Sequence, residues 1–317
     1  MSHVVTNVPV IDLGAFEAGT PSERRSLASA VDEACRETGF LTISGHGVPD
    51  ADIAAVRAAV RAFFDGPAEA KVALRPGPGR PYGYLGVGSE ALARSRGEET
   101  PPDLKESFNG GPLTCPADET DRDALAFCYA PTPWPEVPGF RAAWETYYAH
   151  MEDLAARIMA MFAVALGKPE GFFQPYIDSP ISALRALNYP ATEGPAEAGQ
   201  QRAGAHTDYG SLTILLPDSG SRGLEILAQS GDWVPVDAPE GVFVINIGDL
   251  MELWTGGRWR STLHRVVVPP ELAGQRRGSL AFFHQPNWHA AIRPFEGRAD
   301  AVTSGPYLMG KFAAATG

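Results

Sequence analysis

The sequence predicts a mainly β fold with flanking helices: an α/β N-terminal region, one long supporting helix and a C-terminal half of short strands. Three observations carry this expectation. The first 70 residues alternate between strand-like and helix-like patterns. From residue 140 to 166, apolar side chains recur at helical spacing. After residue 180 the chain breaks into short β-rich segments separated by turns, with no long helix among them, which suggests an antiparallel barrel or sandwich. The corresponding division is residues 1–139, 140–175 and 176–317.

Residues 8–12 read as a short apolar strand. Thr20-Pro21-Ser22-Glu23 is a capping box with proline at the first helical position, opening a helix whose buried face carries Leu27, Val31 and Ala34. Gly39 ends it, residues 40–43 form a second strand, and Asp50 is placed to cap a helix bearing Ile53, Val56, Val60 and Phe63. Residues 75–138 are irregular and rich in Pro and Gly, so loops that wall a site are expected there. The stripe from Phe140 through Trp144, Tyr148, Met151 and Ile158 to Phe162 reads as a helix face buried against a sheet. The strands expected after it are 183–189, 206–216, 224–227, 233–236, 242–247, 263–268 and 279–283, with a small-residue loop at 194–201.

Composition narrows the function classes. At 317 residues, 44% hydrophobic and 20% charged, this is an ordinary globular chain able to bury a sizeable core. A net charge of −12 argues against non-specific nucleic-acid or anionic-membrane binding and says nothing about the substrate, because a basic pocket can coexist with an acidic surface. Cys35, Cys115 and Cys128 are odd in number and scattered, which disfavours a disulfide framework or a cysteine-rich zinc site. No run reaches the roughly 18 apolar residues a membrane span needs, and the start lacks a basic segment before an apolar one, so a cytoplasmic location is expected.

The chemistry centres on His206 and Asp208 in Gly204-Ala205-His206-Thr207-Asp208-Tyr209-Gly210. Two positions apart on a strand, they share a face. An imidazole and a carboxylate converging on one point are two of the three groups of the facial triad of non-haem Fe(II) oxygenases. A third ligand must come from another strand. Of the histidines, His3 is near the terminus, His46 sits in a Gly-His-Gly turn and His150 lies on the long helix. His264, in Ser261-Thr262-Leu263-His264-Arg265-Val266, occupies the best candidate strand, although a lone histidine there is ordinarily a core or surface residue. Arg277-Gly278-Ser279 follows 13 residues later, with guanidinium and hydroxyl on one strand face. Such a pair suits capture of a carboxylate in a partly dry pocket. Alone, it would read as a surface arginine beside Arg276.

Together these motifs resemble the isopenicillin-N-synthase-like family of Fe(II)/2-oxoglutarate-dependent oxygenases, over nearly the whole chain. Val8-Pro9-Val10-Ile11-Asp12-Leu13, Gly39-Phe40 and Gly45-His46-Gly47-Val48 match its opening region, and Asp103-Leu104-Lys105-Glu106-Ser107-Phe108 its mid-chain motif. Asn188-Tyr189-Pro190, Ala205-His206-Thr207-Asp208, Ile247-Gly248-Asp249 and Ser261-Thr262-Leu263-His264-Arg265-Val266 match its catalytic barrel. The resemblance implies a double-stranded β-helix, or jelly roll. It implies iron held by His206, Asp208 and His264, and 2-oxoglutarate held at its distal carboxylate by Arg277, Ser279 and Tyr189. O2 would be the third reactant and succinate and CO2 the products, with oxidation, most simply hydroxylation but also desaturation or cyclisation, at a C–H bond of a small-molecule substrate. Related iron halogenases lack the carboxylate that Asp208 supplies, which disfavours halogenation. Many relatives have Asn-Tyr-Tyr-Pro, whereas Leu187-Asn188-Tyr189-Pro190 has one tyrosine, leaving the role of Asn188 open. The short C-terminal segment after Tyr307 is compatible with a monomer.

Strand alternation extends these expectations to the pocket wall. Arg185 and Leu187 share the Tyr189 face, and a buried Arg185 needs a partner, either a substrate or co-substrate carboxylate or an acidic side chain. Phe283 and Gln285 share the Ser279 face and His284 points away. Tyr209 and Leu212 follow the His-x-Asp motif, and Tyr82, Tyr84, Phe108 and Asn109 are drawn from the irregular middle segment. Two other readings stand beside this one. A 2-oxoglutarate-independent iron oxidase would use Arg277 and Ser279 to bind the substrate's own carboxylate, and a non-catalytic jelly-roll binding protein would keep the metal for structure.

Overall fold

The computed structural model describes residues 8–92, 101–191, 200–269, 272, 274–295 and 300–316. His3 and most of the loop expected at 194–201 lie outside them. In chain order the elements are β1 (Val10–Asp12), α1 (Leu13–Ala18), α2 (Pro21–Glu37), β2 (Phe40–Ser44), α3 (Asp50–Phe64), α4 (Ala68–Val72), β3 (Gly83–Leu85), β4 (Glu106–Gly110), α5 (Arg122–Ala126) and α6 (Phe140–Ala165). There follow β5 (Ala183–Tyr189), β6 (Ala203–His206), β7 (Leu212–Pro217), β8 (Leu224–Leu227), β9 (Trp233–Pro235), β10 (Phe243–Ile247), α7 (Asp249–Trp254), β11 (His264–Val266), β12 (Arg277–His284), β13 (Ala291–Ile292), β14 (Val302–Thr303) and α8 (Ser304–Thr316).

Two sheets form the jelly roll. The larger runs β1-β2-β10-β7-β12-β5-β4-β3 and the smaller β6-β11-β8-β9. Alternation along the larger sheet separates two environments. Leu184, Ala186, Ile214, Ile245, Leu280 and Phe282 face the helices, where the α6 stripe of Trp144, Tyr148, Met151 and Ile158 is buried as expected. Their neighbours Leu187, Tyr189, Val244 and Ala281 turn inward, towards Ala203, Ile226 and Val266 of the smaller sheet. The site lies in that second space. Strands β1 to β4, from the N-terminal region, belong to the larger sheet, so that region continues the barrel.

Several expectations are corrected. The capping box forms at Thr20 and Glu23, but α3 begins after Pro49 with no side-chain cap, and Asp50 is its first residue. Residues 75–138 are not all loop: β4 is fully buried and joins β3 to β5. It escapes a hydrophobicity pattern because its outer polar groups are satisfied internally. Glu106 accepts hydrogen bonds from Tyr84 at 2.6 Å, Asn188 at 2.7 Å and Lys71 at 2.9 Å. Asn188 therefore has a structural role on the face opposite Tyr189. The strand expected over 206–216 is two strands in different sheets, with Thr207–Ser211 crossing between them. Glycine permits the crossing, since a Cβ at Gly210 would lie 2.3 Å from the His284 carbonyl oxygen. Among the described residues no helix is long and apolar enough to cross a membrane.

Candidate iron and 2-oxoglutarate site

His206 ends β6 and pairs directly with His264 at the start of β11. The antiparallel register places the two rings 4.3 Å apart between centroids. Each ring is oriented by its Nδ1, which meets the Gly204 carbonyl oxygen at 2.7 Å for His206 and the Thr262 carbonyl oxygen at 3.1 Å for His264. Both Nε2 atoms then point at Asp208, each 3.8 Å from Oδ1. Asp208 reaches this point from the crossing segment beyond β6, not from a shared strand face.

Its carboxylate is fixed from the other side. Oδ2 accepts hydrogen bonds from Thr213 Oγ1 at 2.5 Å and Asn246 Nδ2 at 2.7 Å, leaving Oδ1 for the histidines. Burial raises the Asp208 pKa, but the two imidazoles and these two donors outweigh it and the net shift is downward. Burial, reinforced by His264, holds His206 down at about 3, so its ring is neutral and able to donate a lone pair. The three ligand atoms lie within 4.8 Å of one another. One carboxylate oxygen and two imidazole nitrogens, each oriented by a further hydrogen bond, suit a first-row divalent metal such as Fe(II). Sequence reasoning missed Thr213 and Asn246. A polar Asn246 within the apolar run Phe243-Val244-Ile245-Asn246-Ile247 was the available signal.

A narrow cavity extends from the triad along the inner faces of β5 and β12, lined by Arg277, Ser279, Tyr189, Leu187, Ala281 and Lys105 among others. Arg277 lies directly opposite Tyr189 in the sheet, with its guanidinium 4.8 Å over the ring. It is 4% exposed. Its NH1 reaches Ser279 Oγ at 3.4 Å, its Nε has no partner, and no carboxylate pairs with it among the described residues. A buried, unmatched guanidinium beside a metal site is a receptor for an anionic group. Lys105, another residue the site reading missed, is paired with Asp103 at 2.8 Å.

A second cavity of about 550 Å³ opens from the triad towards α8. Tyr209, Phe283, Gln285, Tyr82, Asn109 and Arg185 line it. Leu212, Tyr84 and Phe108 line neither cavity. Leu212 begins β7 on the helix-facing side. Tyr84 donates its hydroxyl to Glu106, and Phe108 is in edge contact with Phe63, Phe140 and Trp144. His284 is buried away from the site, where burial pushes its pKa down to about 4. Arg185 takes the acidic-partner alternative: NH2 meets Glu90 Oε1 at 3.2 Å and Nε donates to Asn109 Oδ1 at 2.7 Å. Leu308 and Phe312 of α8 complete the wall and were not anticipated.

Known proteins place this geometry. Residues 8–137 match the family model for the N-terminal region of non-haem dioxygenases in morphine synthesis, and residues 180–286 match that of the 2OG-Fe(II) oxygenase superfamily. Validamycin A dioxygenase of Streptomyces hygroscopicus subsp. limoneus is 36% identical, over 91% of this chain and 79% of that protein. The chain belongs to the 2OG-Fe(II) oxygenase superfamily. A 2-oxoglutarate-dependent dioxygenase of Aspergillus niger is also 36% identical, over 90% of this chain and 86% of that one. The crystal structure of a full-length Neurospora crassa protein in complex with α-ketoglutarate and thymine superposes with a TM-score of 0.85 at 28% identity, covering 97% of this chain and 96% of that one. The oxygenase is therefore an Fe(II)- and 2-oxoglutarate-dependent dioxygenase that oxidises a small molecule with release of succinate and CO2. These relatives favour that activity over a 2-oxoglutarate-independent oxidase.

Proposed function

We propose that His206, Asp208 and His264 hold the iron, that Arg277, Ser279 and Tyr189 hold the distal carboxylate of 2-oxoglutarate, and that the enzyme hydroxylates a substrate seated in the larger cavity. The observation that carries this reading is the unmatched Arg277 guanidinium, buried in the same cavity as three converging ligand atoms. Iron held there would supply activation of O2, coupled to oxidative decarboxylation of 2-oxoglutarate, and the oxidising power to break a C–H bond.

The chain's own residues set the order and selectivity of these events. Arg277 and Ser279 orient the co-substrate from the far end of the narrow cavity. Thr213 and Asn246 keep Asp208 turned towards the metal position. Phe40 packs edge-on against His264 with centroids 5.6 Å apart, holding its ring and excluding water. Thr207, Tyr209 and Phe283 border the triad on the larger cavity's side, where they decide which bond lies near the metal. Relatives named for validamycin A and homoarginine, and the Neurospora crassa structure with thymine bound, support a small-molecule substrate.

The test is succinate formation from 2-oxoglutarate in air, with and without Fe(II). Iron-dependent succinate that disappears in a folded His206→Ala variant is the expected result. Undiminished turnover in that variant would refute the ligand assignment.

A further inference from the structure

Among the described residues, the charges lining the larger cavity pair with one another. Away from the triad, its charged lining residues among those described are Glu90 and Arg185. They bind each other through Arg185 NH2 to Glu90 Oε1 at 3.2 Å and NH1 to Oε2 at 3.4 Å. Behind them Lys105 Nζ lies 3.5 Å from Glu90 Oε2 and 2.8 Å from Asp103 Oδ2, so two cations face two carboxylates. Burial raises the Glu90 pKa, but Arg185 and Lys105 outweigh it and hold the group at about 2, so the pair stays ionised.

Hydrogen-bonding capacity remains. A guanidinium has five N–H donors, and the contacts to Glu90 and Asn109 use three of them. Gln285, 3% exposed in the same wall, has a side-chain oxygen with no partner. The rest is mainly apolar: Phe127 and Phe312 meet edge to face at 5.2 Å, and Leu308, Ile181, Leu184 and Phe283 extend the surface.

We propose that the substrate is a neutral, mainly apolar small molecule that gives a hydrogen-bond acceptor to Arg185 and lays its ring or hydrocarbon portion against the Phe127–Phe312 wall. The proposal rests on the iron and 2-oxoglutarate reading of the adjoining site. An anionic substrate would lie against Glu90 and a cationic one against Arg185, each uncompensated where little water screens the repulsion. A neutral acceptor meets neither difficulty. A cavity of about 550 Å³ suits a molecule of drug-like size.

Calorimetric titration of the anaerobic Fe(II)·2-oxoglutarate enzyme tests this with three probes of similar shape: 4-phenylbutan-2-one, 4-phenylbutanoate and 4-phenylbutylamine. The ketone is expected to bind at least tenfold more tightly than either charged probe. In Glu90→Gln, which leaves the Arg185 charge unbalanced, the carboxylate probe should gain at least tenfold and the ketone little. Equal or tighter binding of a charged probe by the unmodified enzyme would overturn the proposal, as would failure of the ketone to bind while 2-oxoglutarate binds. Because the unmodified enzyme decides the matter, a Glu90→Gln variant that does not fold leaves the test intact. Failure of 2-oxoglutarate itself to bind would identify the co-substrate reading as the fault, and the substrate class would fall with it.

Discussion

Arg277→Leu should lower ligand affinity steeply while leaving ligand-free stability nearly unchanged. Of the cations lining the narrow cavity, Arg185 and Lys105 are ion-paired, whereas Arg277 has no carboxylate partner among the described residues. A charge-assisted hydrogen bond contributes about 1.5–3 kcal/mol. Losing two from a bidentate clamp weakens binding by about 3–6 kcal/mol, or roughly a hundred- to ten-thousand-fold in Kd. The same substitution removes a buried charge from the ligand-free enzyme. Exchanging buried ionic groups for apolar ones stabilises proteins by about 1–4 kcal/mol. Lost stacking on Tyr189, at a desolvated position, returns about 2 kcal/mol of that. The net expectation is a ligand-free stability between about 1 kcal/mol below and about 2 kcal/mol above the parent. Anaerobic titration of the Fe(II) enzyme with 2-oxoglutarate reads the first quantity, and urea unfolding without ligand reads the second. A Kd within threefold of the parent, or a loss of about 3 kcal/mol or more of stability, as when a buried ion pair is broken, would show Arg277 to be a structural strut.

Other substitutions separate the site from its frame. Asn246→Leu removes one of the two donors to Asp208 Oδ2 and should weaken Fe(II) binding by about ten- to a hundredfold, measured by competition with a chelator. Phe108→Ala should cost about 3–5 kcal/mol, because the ring is fully buried among Phe63, Phe140 and Trp144. In the folded fraction, 2-oxoglutarate affinity should be unchanged. His284, at about 4 in the folded protein, accepts a proton near 6.5 when unfolded. The unfolded chain therefore binds the proton more readily. Stability should fall as pH drops from about 6.5 to about 4, by about 3 kcal/mol in all, with no contribution above that window. His284→Leu should flatten that part of the pH dependence in metal-free protein while His206 remains common to both, and an unchanged slope would assign it elsewhere.

The cluster of His206, Asp208 and His264 was legible because the three residues sit in short motifs with fixed spacing, while the route by which they meet was not. His206 and Asp208 suggested one strand face, yet the chain leaves β6 at His206 and crosses between sheets before β7, which periodicity across 206–216 does not reveal. Arg185, Leu187, Phe283 and Gln285, grouped by alternation, line the two cavities, because β5 and β12 are regular and directly paired. Leu212, named because it follows the His-x-Asp motif, instead begins β7 on the helix-facing side, since the chain crosses between sheets before it. Strand β4 was hidden by its buried Glu106, Ser107 and Asn109, polar residues that a hydrophobicity pattern assigns to loops. Helix α8 was missed because its role emerges only when Leu308 and Phe312 close a cavity formed by distant segments. Local pattern reports local geometry, and enclosure is a property of the assembled chain.

The most direct measurement is Fe(II) stoichiometry and affinity under anaerobic conditions, comparing the parent enzyme with His264→Ala. The triad account requires one tightly bound Fe(II) per parent chain, and at least a hundredfold weaker binding in a variant whose circular dichroism spectrum is unchanged. Equal affinity in the two proteins would contradict it, because β11 would then contribute nothing to the metal.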